Sequence, residues 1–196
     1  MTTIAVLGNG RVGGNLATAL TRAGHEVTVA DRAPGAAAAR TAQIVINATP
    51  GAGSLDRLVV LREELRGKIL VDVSNATVDG PGGLPADLIY PGSSLAELLQ
   101  EALPETRVVK TLNTMLFPVM TAPAMLTQAP DAFLSGDDPQ AKQTVRELLT
   151  NLGWRKEWIT DLGGIRTARA TEAAILFVPH VIRSSGFAPF AISIAR

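Results

Sequence analysis

The sequence contains no cysteine and only two histidines, so several kinds of site lack their usual side chains. Without cysteine there is no disulfide, no thiolate nucleophile and no cysteine-ligated metal. His25 lies between a helix pattern and a strand pattern, and we interpret it as structural. His180 follows Pro179 on the last predicted helix, where packing or exposure is the simpler interpretation and a place facing an active cleft is the alternative. No metal site is predicted.

Charge imbalance and long apolar runs are also missing. Lysine plus arginine and aspartate plus glutamate number 18 each among 196 residues, so no basic field attracts nucleic acid. No stretch approaches the ~20 apolar residues of a membrane-spanning helix. The first strand pattern begins so close to Met1 that a signal peptide has no room. We therefore expect a folded cytoplasmic protein with no nucleic-acid or membrane partner.

Well-known catalytic motifs are absent as well. The sequence has no P-loop, no G-x-S-x-G and no H-E-x-x-H. No lysine or histidine lies where a dehydrogenase of simple alcohols would need its acid/base group. Hydride transfer between a nicotinamide and a flavin-like ring mainly needs the two rings face to face at ~3–3.5 Å with water excluded. The missing proton donor favours this second kind of reaction.

A glycine-rich turn near the start is the main feature that is present. The apolar run 4–7 is followed by G-N-G-R-V-G and then by a helix pattern. In this G-x-G-x-x-G order, the glycines allow a tight turn, a close approach to a pyrophosphate and close packing of the helix. The helix N-terminus attracts the anion. We therefore predict a dinucleotide site over Gly8, Asn9, Gly10, Arg11 and Val12.

The second strand pattern, 26–30, ends at Asp31 and Arg32. An acidic residue here accepts the ribose hydroxyls of adenosine, whereas an arginine can hold a 2′-phosphate or stack on adenine. The two residues lie side by side, so the choice between NAD and NADP stays open. Residues 33–43 have room for one short alanine-rich helix only. We expect a sheet truncated on this side, with 26–30 as an edge strand and an open adenine pocket.

Strand and helix patterns alternate along the rest of the chain, which predicts an α/β fold. The expected architecture is a doubly wound, mainly parallel Rossmann sheet, truncated after the second strand, with a small C-terminal helical extension. Further strands are predicted at 44–48, 68–73, 107–112, 132–136 and 154–160. Helices are predicted at 11–23, 55–65, 94–103, 139–152 and 165–183, the last kinked or ended near Pro179. Ser54 would be the N-cap of 55–65 if the loop before it is a simple turn into the helix.

Two segments have other patterns. Residues 79–92 form a loop rich in glycine and proline, interpreted as a plain connection or a mobile lid. The apolar tail 187–194 must cover the sheet, the ligand or a second subunit, and a homodimer is expected. We predict an NAD(P)-binding domain at 1–160, with 161–196 as a helix and tail packed on it in one compact unit.

Ligands of doubly wound sheets lie over the carboxyl ends of the strands. The loop Ala48-Thr49-Pro50 follows the apolar strand 44–48, which predicts contact with the nicotinamide ribose and ring. The alternative for this loop is a simple turn into the next helix. Ser74 ends the following strand and is included in the predicted site.

The chain resembles the family of NADP-dependent oxidoreductases of the deazaflavin coenzyme F420 over nearly its whole length. The glycine turn and residues 24–29 are shared by many nucleotide-binding proteins. The resemblance continues through Ala48-Thr49-Pro50, Val71-Asp72-Val73-Ser74-Asn75, Val108-Val109-Lys110-Thr111-Leu112-Asn113-Thr114, Phe133-Leu134-Ser135-Gly136-Asp137-Asp138, Leu152-Gly153-Trp154 and Ala168-Arg169-Ala170-Thr171-Glu172. Three of these are more specific in combination: the asparagine-threonine block at 113–114, the serine-glycine-aspartate-aspartate block at 135–138 and the glycine-tryptophan pair at 153–154.

The resemblance implies hydride transfer between NAD(P)H and coenzyme F420 or a flavin-like cofactor. NADP would lie over residues 8–12, with its 2′-phosphate held just after the second strand. Asn113, Thr114 and Met115 would lie beside the two stacked rings, and the deazaflavin would enter from the C-terminal side. The protein would only position the rings, through Asn113 and Thr114.

Two departures from the family pattern lie on the adenosine side. Asp31 stands where the family has a small or hydroxyl residue, and a carboxylate repels a phosphate. The segment 33–43 is also shorter than usual. Two other functions stay open: a non-catalytic NAD(P)-binding module that senses redox state, and an NAD(P)-dependent reductase of a small imine or keto acid.

Overall fold

The computed structural model describes residues 1–30 and 35–195. Within these residues the strands are β1 (Thr3–Leu7), β2 (Glu26–Ala30), β3 (Ile44–Asn47), β4 (Ile69–Asp72), β5 (Thr77–Asp79), β6 (Pro85–Leu88), β7 (Arg107–Lys110), β8 (Ala132–Ser135) and β9 (Ile159–Gly163). The main sheet has seven strands in the order β2-β1-β3-β4-β7-β8-β9. The first five run parallel to one another, and β8 pairs antiparallel with β7.

Helices cover both faces of this sheet. Within the described residues they are α1 (Arg11–Arg22), α2 (Gly35–Thr41), α3 (Ser54–Val59), α4 (Arg62–Leu65), α5 (Leu95–Ala102), α6 (Phe117–Thr121), α7 (Pro139–Asn151), α8 (Ala168–Ala173) and α9 (Val178–Ser185). One core contains buried residues of α1, α6 and α7, and the other contains buried residues of α2 to α5 and α8. The two cores confirm the predicted doubly wound sheet.

Alternation along β1 explains why one strand serves both cores. Ile4 and Val6 belong to the core with α1, whereas Ala5 and Leu7 belong to the core with α2. Successive side chains of a strand point to opposite faces. All four residues of β3 and of β4 are buried, as expected of parallel strands covered on both sides. The strand order reverses between β1 and β3, which is where such sheets bind ligands.

The truncated side of the sheet agrees with the expectation from the sequence. β2 is the edge strand, and α2 is a single short helix. Asp31 and Arg32, the residues predicted to decide between NAD and NADP, lie outside the described residues. Within the described residues no helix is long and apolar enough to cross a bilayer.

Four predicted elements differ from the structure in detail. The loop 79–92 is not irregular throughout, because β5 and β6 pair as an antiparallel hairpin. The strand 154–160 begins only at Ile159, since Lys156–Trp158 form a 3₁₀ turn. Trp154 before it is buried and donates its indole N–H to the Met120 carbonyl, 2.9 Å away. Side-chain packing, not strand pairing, therefore sets the course of residues 154–158.

The helix predicted over 55–65 is broken into α3 and α4, and Ser54 is not its N-cap. Gly53, with φ of +72°, precedes the helix, and Ser54 is its first residue. The buried Ser54 hydroxyl instead lies 3.0 Å from the Pro50 carbonyl and 2.8 Å from the Thr49 hydroxyl. The segment 165–183 is a helical path of alternating 3₁₀ and α turns, and Pro179 lies in the first turn of α9 without ending it.

The apolar tail packs on its own chain. Ala191 pairs with Met115, and flanking backbone bonds of 3.0 Å join Leu116 to Phe190 and Ile192 to Thr114. The tail therefore lies along the segment that follows β7. Its contribution to a homodimer stays a prediction.

Candidate functional site: a cleft along the carboxyl ends of the strands

A cleft of about 1320 Å³ runs along the carboxyl ends of β2, β1, β3, β4 and β7. It brings together most of the site residues predicted from the sequence. Those in its lining are Gly8, Asn9, Gly10, Arg11, Val12, Ala48, Thr49, Pro50, Ser74, Asn113 and Met115. Thr114 is buried and is not in the described lining, and its backbone carbonyl bonds to the tail instead.

The glycine turn forms an open cradle at the end of β1. Gly8 has φ of +105°, and a Cβ there would lie 2.6 Å from the Ala48 carbonyl oxygen. A Cβ on Gly13 would lie 2.0 Å from the Gly8 carbonyl oxygen, so α1 packs directly on the turn. A Cβ on Gly10 would have nothing within 4 Å. The space over Gly10, at the N-terminus of α1, fits a pyrophosphate group.

A buried polar network holds the strand-end hydroxyls in place. The Thr49 hydroxyl donates to Asn47 Oδ1 at 2.7 Å, and Asn47 Nδ2 donates to Asp72 Oδ1 at 2.8 Å. The Ser74 hydroxyl also donates to Asp72 Oδ1, at 2.8 Å. Asn47 and Asp72 are fully buried, so Thr49 and Ser74 are fixed from inside the protein.

Lys110 lies beneath this network and is fully buried. Its Nζ lies 2.7 Å from Asp72 Oδ2 and 2.9 Å from Glu172 Oε1, and it donates to the Ser74 carbonyl. Burial by itself would lower the pKa of Lys110, but the two carboxylates outweigh burial and raise the pKa. Lys110 is therefore an ammonium ion that ties the ends of β4 and β7 to α8.

Glu172 also joins α8 to α5. Its carboxylate accepts the backbone N–H groups of Leu95 and Ala96, at 3.0 and 3.2 Å, in the first turn of α5. The pairing of Glu172 with Lys110 was not predicted from the sequence, because the two residues are 62 positions apart (172 − 110). Only their presence in the blocks that resemble the family singled them out.

The far end of the cleft is fixed by a pair of asparagines. Asn113 Nδ2 donates to Asn75 Oδ1, and Asn75 Nδ2 donates to the Asn113 carbonyl, both at 2.9 Å. Leu112, with φ of +60°, turns the chain just before Asn113. Sequence reasoning missed Asn75 as a lining residue. The wall beyond the pair is apolar and consists of Met115, Leu116, Phe117, Met120, Val178, Ile182 and Phe187.

Both charged side chains in the described lining are arginines, Arg11 and Arg57. The Arg11 guanidinium lies 5.6 Å from the centre of the Phe117 ring. Arg57 projects from α3 and was not predicted from the sequence. It lies in the last turn of this six-residue helix, where a cation agrees with the helix dipole, so its place in the sequence carried no signal of another role.

The two histidines lie outside this lining. His25 Nε2 is 3.0 Å from Asn151 Nδ2, which connects the start of β2 to the end of α7. Burial, and then the positive N-terminus, lower the pKa of His25. His180 is exposed on α9.

Comparison with known proteins gives the family. A crystal structure at 1.70 Å of an Arthrobacter sp. FB24 protein, assigned as an F420-dependent NADP reductase, is 38% identical to this chain. The match covers 100% of both chains with a TM-score of 0.91. The chain belongs to the F420-dependent NADP oxidoreductase family. The family model "NADP oxidoreductase coenzyme F420-dependent" matches residues 3–55. The predicted family is therefore confirmed, and it is a family of NADP-dependent oxidoreductases.

Two curated relatives extend the comparison. The F420-dependent NADP reductase of Methanocaldococcus jannaschii is 28% identical over 137 residues, which are 69% of this chain and 60% of that protein. The metalloreductase STEAP3 of Rattus norvegicus is 30% identical over 188 residues, which are 87% of this chain and 36% of that protein. The matches thus span less than two thirds of the length of either relative.

Proposed function

We propose that this protein binds NADP on the turn at residues 8–13 and transfers hydride between NADPH and coenzyme F420. The observation that carries the proposal is one continuous cleft that leads from the glycine cradle to an apolar wall. Its volume of about 1320 Å³ exceeds the roughly 300–1,000 Å³ of a pocket for a single drug-sized ligand. The cleft therefore has room for a dinucleotide and a second ring system.

Each part of the chain has a separate task in this proposal. The N–H groups at the start of α1 bind the pyrophosphate. Thr49 and Ser74, held by Asn47 and Asp72, bind the ribose and amide of the nicotinamide half. When both ligands are bound, the nicotinamide supplies the hydride and the deazaflavin accepts it. The apolar wall beyond Asn113 shields the facing surfaces of the two rings, between which the hydride moves, from water and leaves a ring edge open to solvent.

The proposed reaction needs one proton, and the source of this proton follows from the side chains that line the cleft. Reduction of the deazaflavin consumes one hydride from NADPH and one proton. The described lining holds no aspartate, glutamate, histidine, lysine or tyrosine. In this proposal the proton comes from solvent, and the side chains serve for positioning.

An absorbance assay tests the proposal. Purified protein is mixed with oxidised F420 and either NADPH or NADH, and the loss of F420 absorbance is followed. FAD and FMN replace F420 in parallel reactions, and nucleotide binding is measured separately by calorimetry. We expect turnover of F420 with NADPH. Nucleotide binding without turnover of any of the three acceptors would contradict the proposal and favour a non-catalytic NAD(P)-binding module.

A further inference from the structure

We propose that Arg57 binds the 2′-phosphate of NADP, from the α3 side of the cleft. The inference rests on the proposed nucleotide site. It assigns a role to a side chain that lines the same cleft as the end of β2, where a dinucleotide-binding sheet ordinarily recognises the adenosine ribose.

The position of Arg57 along the cleft carries the first step. A pyrophosphate on the turn after β1 directs the adenosine toward β2. Ala30, at the end of β2, and Gly35 and Ala36 of α2 line that end of the cleft. Leu61, one turn after Arg57, lies close to this end of the cleft, because the Leu61 Cδ1 atom would be 3.9 Å from a Cβ built on Gly35. Arg57 Nη2 also lies 3.5 Å from Thr49 Oγ1, so its guanidinium stands where the loop 49–53 meets the adenosine half of the cleft.

The hydrogen bonds of Arg57 leave donors free for a ligand. Its Nη2 donates to the Pro50 carbonyl and to the Ala52 carbonyl, the latter at 2.9 Å. Within the described residues, Nη1 and Nε make no hydrogen bond, and no carboxylate pairs with the guanidinium. One nitrogen thus anchors the planar group on the loop 50–53. The remaining N–H groups suit a phosphate, which guanidinium groups bind with two parallel hydrogen bonds.

Charge supplies the second step. Asp31 directly follows β2 in the sequence, and its carboxylate opposes a phosphate that carries about −1.5 to −2 at neutral pH. A cation in the lining of the same cleft offsets that repulsion. Arg11, the other arginine of the described lining, lies over Phe117 on the nicotinamide side. Within the described residues, which do not include Arg32, Arg57 is therefore the lining cation placed for a second phosphate group.

Binding measurements with two pairs of ligands test the inference. NADPH is compared with NADH, and adenosine 2′,5′-bisphosphate with AMP, since each pair differs by the 2′-phosphate. Arg57→Gln should weaken binding of NADPH and of the bisphosphate at least tenfold, and leave binding of NADH and AMP within about threefold. Arg57→Lys should fall between. Arg62→Gln is the matched control, because Arg62 is an exposed arginine on α4 outside the described lining.

The outcomes separate this inference from the proposed function. Equal weakening of NADPH and NADH would show that Arg57 acts only through the loop or the pyrophosphate, and would overturn the inference. Unchanged binding of NADPH in Arg57→Gln would overturn it as well. In both cases the F420 assay could still succeed. Wild-type protein that binds neither dinucleotide would overturn the proposed function and this inference together.

Discussion

At the residue scale, the glycines of the turn at residues 8–13 differ in how much space a side chain would have at each position. Gly8 and Gly13 are required by the protein itself, because a Cβ on either would lie less than 3 Å from a backbone carbonyl oxygen. No neighbouring atom requires a glycine at position 10, because a Cβ there would have open space around it. The structure thus separates Gly8 and Gly13, which are needed for close packing, from Gly10, which leaves open space in the cleft.

Gly13→Ala should therefore damage both stability and nucleotide binding. The new Cβ would lie 2.0 Å from the Gly8 carbonyl oxygen and push α1 away from the turn. We expect a loss of about 1–3 kcal/mol in the free energy of unfolding. We also expect at least tenfold weaker NADPH binding, measured by urea denaturation and calorimetric titration.

Gly14→Ala is the control for this prediction. Gly14 lies in the same helix, and its nearest neighbour would be Asn9 Oδ1 at 4.0 Å. Alanine should stabilise the helix there by about 0.5–1 kcal/mol, because glycine loses more backbone entropy on folding. Similar behaviour of the two variants would show that the close approach at Gly13 is unimportant.

At the element scale, α8 is held to α5 by two acidic residues in different surroundings. Glu172 is buried and accepts from the first turn of α5 and from Lys110. Glu97, on α5, pairs with Arg169 of α8 near the surface. A hydrogen bond to a buried charge contributes more to stability than an exposed ion pair. The inner pair should therefore dominate the docking of α8.

Glu172→Gln should lower the free energy of unfolding by about 2–4 kcal/mol, since Lys110 loses one of its two carboxylates inside the protein. Glu97→Gln should cost less than about 1 kcal/mol. Chemical denaturation of the two variants gives the comparison. Equal losses in the free energy of unfolding would mean that the buried ion pair of Glu172 with Lys110 stabilises the protein no more than the Glu97–Arg169 pair near the surface.

The elements also show what a sequence can predict. The segment from β1 to β3 was predicted to within a residue or two, because its apolar runs and glycines are local signals. The hairpin β5–β6 was missed, since proline and glycine hide its short alternation. The roles of Glu172 and Arg57 were missed for another reason. Both depend on neighbours that only the folded chain brings together, such as Lys110 and the Pro50 carbonyl.

At the scale of the whole molecule, the C-terminal region is built into the nucleotide-binding unit. Glu172 joins it to Lys110, and residues 190–192 pair with the segment 114–116. Val178, Ile182 and Phe187 of the same region line the cleft. We therefore propose that 1–160 and 161–196 unfold together.

Thermal unfolding should then show a single transition that NADPH shifts as a whole. A ligand at 100 times its Kd stabilises the folded protein by about 2.7 kcal/mol. For a chain of 196 residues this corresponds to a rise in Tm of about 5–10 °C. Circular dichroism and tryptophan fluorescence should report the same Tm. Two transitions, of which NADPH moves only one, would show that the C-terminal region is a separate unit.

The two arginines of the cleft also affect how fast nucleotides arrive. Arg11 and Arg57 are the charged side chains of the described lining, and a dinucleotide that entered the cleft as proposed would experience the positive field of both. Such a field acts over about 10 Å at 0.1 M ionic strength and is shorter-ranged at higher salt. The field raises the association rate constant of an anionic ligand more than it lowers the dissociation rate constant. Added salt should therefore reduce the association rate constant of NADPH and leave its dissociation rate constant nearly unchanged.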